Sequence, residues 1–291
     1  MRLLADLSLT IFTVLSLVAC GVTAADIENI HLIDARPGNA SEDLCCLSGI
    51  DTQKAGEVIL ISDRGALFRG TLDDQGRTLR LKSSANLRLS SGTALTRAAS
   101  DAEGLAILPN GTLAISFEGR HRVTHYESGG TGIAAWRLPE EFKKSHNQGA
   151  EALAVDVAGS LWLISEKPKG EGFSIFSLRS GAWTNRGIFE RLGSFKPVGA
   201  DFDAAGRLYI LERSLRLLGF TSRIRRIDDP RASTSAVTIW QSRHGSHDNL
   251  EGIAVLESDG LSTQFLLVSD DNDFPLQSTE VLLLTLPVAQ N

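Results

Sequence analysis

An acid followed by a short apolar run returns five times along this chain at nearly constant spacing. Four copies read Asp101-Ala102-Glu103-Gly104-Leu105-Ala106, Gly149-Ala150-Glu151-Ala152-Leu153-Ala154, Gly199-Ala200-Asp201-Phe202-Asp203 and Asn249-Leu250-Glu251-Gly252-Ile253-Ala254. Leu47-Ser48-Gly49-Ile50-Asp51 is a degenerate first copy. With Asp51, Glu103, Glu151, Asp201 and Glu251 as the register, the steps are 52, 48, 50 and 50 residues, the length of one four-stranded propeller blade.

Each copy continues through a turn signal, such as Pro109-Asn110-Gly111, Ala158-Gly159 or Ala205-Gly206, into a second apolar run that ends in an acid. Those runs close at Asp63, Glu118, Glu166, Glu212 and Asp270. A third run follows, as in Gly172 to Leu178 and Glu280 to Leu286, and often a fourth, as in Ala236 to Trp240. Short strands with almost no 3.6-residue period indicate an all-β chain. Such units bury their faces only by stacking, and stacking about an axis closes into a β-propeller. Counting copies gives five blades; a divergent unit hidden in Thr71 to Thr96 would make six. The last unit lacks a fourth strand, and Glu28 to Ala35 is a lone strand ahead of the first, so the amino-terminal strand is expected to complete the last blade. Trp136, Trp162, Trp183 and Trp240 recur near strands of successive blades and suit packing between them.

The unbroken register places residues 26–291 in a single domain behind a leader of residues 1–25. The apolar run Leu7 to Ala19 is about thirteen residues, short of the roughly 20 that cross a bilayer. It reads as an export signal. Leu17-Val18-Ala19-Cys20 has the form of a lipobox, which makes Cys20 the lipidated residue of a periplasmic or outer-membrane-anchored protein; cleavage near Ala24 or Ala25 is the soluble alternative. Contact with a membrane is then through the lipid alone. The other two cysteines are the neighbours Cys45 and Cys46, which form no disulfide framework and read as small buried residues opening a strand, a strained disulfide between them being the alternative. Net charge is −6, which leaves no basic footprint for nucleic acid. The oligomeric state is not legible.

In an antiparallel hairpin the start of one strand lies beside the end of the next. Glu103 with Glu118, Glu151 with Glu166, Asp201 with Glu212, and Glu251 with Asp270 are therefore expected to share one end of their hairpins and to ring one mouth of the central channel, with Asp63 from the first unit. Crowded carboxylates must be protonated, paired or bound to cations. Oxygen donors without clustered sulfur or histidine favour calcium or magnesium. Salt bridges with Arg64, Arg120, Lys167 and Arg213, which follow several of these acids, are the alternative. A mouth of mixed charge suits a small anionic substrate such as a phosphate ester, with Arg64 and Arg213 offsetting its charge. His247 and Asn147, each just ahead of a repeat acid, are further candidates for the rim.

Gly49-Ile50, Ile61-Ser62-Asp63-Arg64-Gly65, Glu103-Gly104-Leu105-Ala106, Glu251-Gly252-Ile253-Ala254 and Val268-Ser269-Asp270-Asp271-Asn272 occur in order between about residue 44 and 286. In these motifs the chain resembles the phytase-like family described as having esterase-like activity, exported bacterial propellers. The resemblance implies calcium in the channel and hydrolysis of a phosphate ester. Two other readings stand beside it: a non-catalytic propeller that binds a ligand or protein through structural acids, and a metal-dependent lactone or ester hydrolase. No GxSxG nucleophile elbow, HExxH, Walker loop or GxGxxG occurs in the sequence.

Overall fold

The computed structural model describes residues 25–36, 44–53, 56–118, 120–144, 149–217, 219–258 and 260–287; Cys20 and Asn147 lie outside them. Two short strands, β1 (Asp26–Asn29) and β2 (His31–Asp34), precede the repeats. The first blade is β3 (Leu47–Thr52), β4 (Glu57–Ser62), β5 (Ala66–Leu72) and β6 (Thr78–Asn86). The second is β7 (Ala102–Ile107), β8 (Leu113–Phe117), β9 (Arg122–Tyr126) and β10 (Gly132–Trp136). In the third, β11 (Ala150–Val155), β12 (Leu161–Lys169), β13 (Gly172–Arg179) and β14 (Ala182–Glu190) follow one another. The fourth holds β15 (Lys196–Phe202), β16 (Leu208–Arg216), β17 (Gly219–Ile227) and β18 (Val237–Gln241). The last holds β19 (Asn249–Ser258), β20 (Ser262–Asp270) and β21 (Val281–Pro287).

These strands form five sheets, one per repeat, as a five-bladed propeller. The stretch from Thr71 to Thr96 belongs to β5, β6 and the loop after them, so no sixth blade is hidden there. Apolar residues on both faces of each blade pair with those of its neighbours, giving one buried cluster at each junction. Leu47, Phe68 and Leu266 sit between the first and fifth blades, Ile59, Leu113 and Phe117 between the first and second, and Ala114, Phe142 and Leu163 between the second and third. Trp162 packs with Phe202 between the third and fourth, while Tyr209 and Phe265 meet edge to face between the fourth and fifth. The other three tryptophans pack against the flanking junction clusters, as the repeat implied.

The chain closes the ring with two strands rather than one. β1 pairs antiparallel with β21 and supplies the missing fourth strand of the last blade, while β2 adds in parallel to β6 as a fifth strand of the first. The break falls at Ile30, which is buried and donates its N–H to Val281 O at 2.8 Å; His31 N–H then turns to Arg77 O. Residues 26–34 thus bridge the junction between the first and last repeats.

Strands β3, β7, β11, β15 and β19 are innermost and lie against one another around the axis. Little room remains there: a Cβ on Gly104 would lie 2.6 Å from Glu151 O, and one on Gly199 2.6 Å from Glu251 O. Beside this contact every inner strand carries one extra residue, a β-bulge that falls between Leu47 and Gly49, Ala102 and Leu105, Ala150 and Ala152, Pro197 and Gly199, and Leu250 and Gly252. The bulges define the true repeat register as Ser48, Glu103, Glu151, Val198 and Glu251. Asp51 and Asp201 lie three residues further along their strands, a rise of about 10 Å toward the opposite end of the channel.

Cys45 and Cys46 are buried free thiols with their sulfurs 3.0 Å apart; Cys46 adopts a left-handed backbone (φ 58°) and donates its N–H to Asp271. Among the described residues no helix is long and apolar enough to cross a membrane.

The crowding at the axis makes Gly104→Ala costly although it adds a single methyl group. Backbone and the Leu153 Cβ stand in its way, so we expect a loss of about 1–3 kcal/mol. Denaturant unfolding checks it, with the midpoint falling at unchanged slope.

Candidate functional site

One end of the channel opens into a cup of about 370 Å³ lined by Asp63, Asp101, Glu103, Glu118, Glu151, Glu166, Glu251 and Asp270, with Lys196, Arg213 and Asn272. Its floor is the crowded axis, where Gly49, Gly104, Gly199 and Gly252 leave about 10 Å³, room for roughly one water. The cup is therefore a blind pocket.

Two rings of equivalent positions build it. Glu103, Glu151 and Glu251 sit at the bulges, which turn their side chains from the sheet face into the mouth. The second ring is the residue in the second strand, or just past it, that follows the one paired beside the bulge: Asp63, Glu118, Glu166, Arg213 and Asp270. The equivalence follows from pairing, since the preceding residues Ser62, Phe117, Ser165, Glu212 and Ser269 face Leu47, Ala102, Ala150, Pro197 and Leu250.

Seven of the nine acids expected at the mouth are brought together there, and two are not. Asp201 pairs with Tyr209, not Glu212; its Oδ2 accepts the Val255 N–H at 2.7 Å, just as Asp51 Oδ2 accepts the Ile107 N–H at 2.6 Å. These two aspartates stitch neighbouring inner strands together. Burial pushes both carboxyls up, Asp51 to about 7, and Asp201 also feels the Asp51 charge. Glu212 is one residue out of register with the second ring, so its side chain takes the other face of the strand. It is fully buried and paired to Arg223, with Arg225 beside it.

Among the expected basic and polar partners, Arg213 lines the cup, whereas Arg64 turns outward to Asp273 at 2.8 Å. His247 lies in a neighbouring groove against Trp240. Asp101, Lys196 and Asn272 are cup residues that the acid register passed over. Asp101 and Lys196 occupy one equivalent position, two residues before Glu103 and Val198, a signal visible only once the bulge sets the register. Asn272 stood in plain view, two residues after Asp270, whose Oδ1 accepts its N–H at 2.7 Å.

Eight carboxyls therefore face two cations. Lys196 Nζ lies 2.7 Å from Glu166 Oε1, and Arg213 pairs with Glu251 and donates to Asn249 Oδ1. Among the described residues, the acids from the first and second blades have no such partner within the cup. Burial, then the charges of neighbouring acids, raises Glu103 and Glu151 well above the ordinary carboxylate range. The same causes push Glu118 up to about 7, while at Asp270 burial and then Glu251 bring it to about 7. Oxygens of Asp101, Glu103 and Glu118 converge within 4.8 Å of one another, as do those of Glu118, Glu151 and Glu166. Asp63 Oδ1 is buried without a hydrogen-bond partner among the described residues. All-oxygen donors and unneutralised charge fit a hard divalent cation.

A family model described as "Phytase-like: Esterase-like activity of phytase" matches residues 44–273, more than half of the chain. No curated protein matches it in sequence. Among solved structures, a luciferin-regenerating enzyme is similar at TM-score 0.50 and 10% identity, over 91% of this chain and 98% of that one. An aldose sugar dehydrogenase from Streptomyces coelicolor matches at TM-score 0.49 and 12% identity, over 90% and 98%. A gluconolactonase from Xanthomonas campestris matches at TM-score 0.48 and 13% identity, over 83% and 72%. At such identities the likeness is one of fold.

The raised carboxyls set a pH dependence. Glu118 and Asp270 gain protons near pH 7 in the folded chain but only near pH 4 when unfolded, so the folded state holds more protons in between. Their contribution is most favourable below about pH 4 and is lost as pH rises to about 7. Because the cup that holds both groups opens to solvent, screening leaves on the order of 1 kcal/mol each. In metal-free buffer the melting temperature is expected to fall between pH 5 and 8, and Glu118→Gln to flatten that fall; a melting temperature that rises over this range contradicts the assignment.

Proposed function

The chain belongs to the phytase-like family, and from that premise we propose that the acid cup is the active site of a calcium-dependent hydrolase of phosphate esters. The observation that carries the reading is the pair of carboxylate triads sharing Glu118, set opposite the fixed cations Arg213 and Lys196 in one blind pocket. Asp101, Glu103 and Glu118 would hold one cation, and Glu118, Glu151 and Glu166 a second. Calcium bound there would supply Lewis-acid polarisation of a phosphoryl oxygen.

The chain's own groups do the rest. Arg213 and Lys196 offset phosphate charge, and each is already oriented by a carboxylate partner. Asp270 and Asp63 lie outside both triads, so they are placed to take the proton of an attacking water. A carboxyl pushed up to about 7 is matched to that task at neutral pH. The water oxygen joins phosphorus, the P–O bond to the alcohol breaks, and the proton passes to the leaving oxygen. The crowded floor keeps the substrate at the rim and excludes it from the channel. In this reading the protein works outside the cytoplasm, held at a membrane surface by acylated Cys20.

Calcium binding to the folded chain alone adds about 2.7 kcal/mol when the free ion stands at roughly 100 times its dissociation constant. Calcium is therefore expected to raise the melting temperature of the mature domain, and chelator to abolish both that rise and phosphate release. Glu118→Gln, which takes one carboxylate from both triads, should lose the calcium shift and at least a hundredfold in turnover. Phosphate release that survives chelation refutes the calcium-dependent mechanism.

A further inference from the structure

Beside the cup lies a groove of about 530 Å³ that no step above uses. Its walls are the tip of the β16–β17 hairpin, with Leu215 and Phe220, and the loop after β20, with Phe274 and Leu276. Leu215, Phe274 and Leu276 are 63%, 53% and 85% exposed, so three large apolar side chains stand in solvent around one concavity. The groove is within the usual range of small-molecule sites, about 300–1,000 Å³.

Groove and cup are continuous along the chain at two places. Arg213 lines the cup, and Leu215, two residues on and so on the same strand face, lines the groove. Asn272 lines the cup, and Phe274 lines the groove. The Arg213 guanidinium carbon also lies 5.9 Å from the centroid of the Phe220 ring, which joins the phosphate-facing cation to the apolar wall. Hydrogen bonds within the protein hold the acids that line the groove: Gln277 Nε2 and Ser278 N–H donate to Asp248, whose own N–H donates to Glu280. Among the described residues no lysine or arginine lines the groove, and Asp248 and Glu280 do. An anionic extension is repelled there, while an uncharged apolar one covers the exposed side chains.

We infer that the groove holds the alcohol side of the substrate, and that this alcohol is bulky, apolar and uncharged, most simply an aromatic one. The inference rests on the hydrolase reading for the head of the substrate and adds to it the class of the group that leaves. It sets this chain apart from a hydrolase of polyanionic esters, whose remaining phosphates would meet Asp248 and Glu280.

Two probes separate this inference from the reading beneath it. With calcium, kcat/KM is compared for phenyl phosphate and 2-naphthyl phosphate, whose leaving groups are of nearly equal acidity. The naphthyl ester is expected to be favoured at least fivefold, and the double variant Phe274→Ser/Leu276→Ser to bring the ratio near one; both side chains are more than half exposed, so the fold tolerates the change. A ratio near one in the parent overturns the inference and leaves the hydrolase reading standing. In parallel, fluorescence titration measures binding of 2-naphthol itself, which requires no turnover. Binding by the parent that weakens at least fivefold in the double variant supports the groove even where neither ester is cleaved, in which case the hydrolase reading fails alone. Equal binding by parent and variant, or none by either, overturns the groove as an apolar subsite.

Discussion

Contact of backbone against backbone at the propeller axis governs this molecule. Five inner strands can converge only where side chains are withdrawn, and at Gly104 the carbonyl of Glu151 already occupies the space that a Cβ would need. The bulge that eases each strand past this point also rotates its neighbour out of the sheet plane. In three blades that neighbour is a glutamate. The crowding that closes the floor of the cup therefore also aims the acids into it, and the burial that follows raises the carboxyls of Glu103 and Glu151. Axis packing, acid placement and raised carboxyls have one geometric cause.

The fourth blade breaks the pattern in a coordinated way. It places Val198 where a glutamate stands in the second, third and fifth blades, Lys196 where the second has an aspartate, and Arg213 where the other four carry an acid. Its own glutamate, Glu212, is turned into the blade and satisfied by Arg223 at 2.6 Å. This gives a mouth polarised across its width, with uncompensated acids toward the second blade and fixed cations at the fourth. A symmetric ring would bind cations only; a polarised one offers an anion a place beside them.

The fivefold repeat, the hairpin ends and closure by the amino-terminal segment were legible because each leaves a spacing in the sequence. Turn glycines such as Gly159 and Gly206, at φ 77° and 84°, mark the hairpins directly. The bulge leaves no such mark. Without it, the nearest acid in each repeat looks equivalent, and Asp201 and Glu212 enter the ring although one sits three residues along and the other one residue across. Lys196 was hidden for the complementary reason, since a search for recurring acids passes over the position where charge is reversed. The split of the first strand at Ile30 was also illegible, because a parallel partner 47 residues later, His31 against Thr78, follows no repeat.

The bridging segment has a further meaning when the chain is considered as something made in sequence. Asp26 pairs with Thr285 and Asn29 with Leu282, so segments synthesised more than 250 residues apart become partners. Until the fifth repeat is complete, β1 has no edge to join and the first and last blades expose the apolar faces that later form their shared cluster. Closure is thus a single late event of very high contact order, slow to reach because the loop it closes is nearly the whole domain. Before it, the protein is an open arc with two sticky ends, and that interval is when it is most vulnerable to aggregation and to proteolysis.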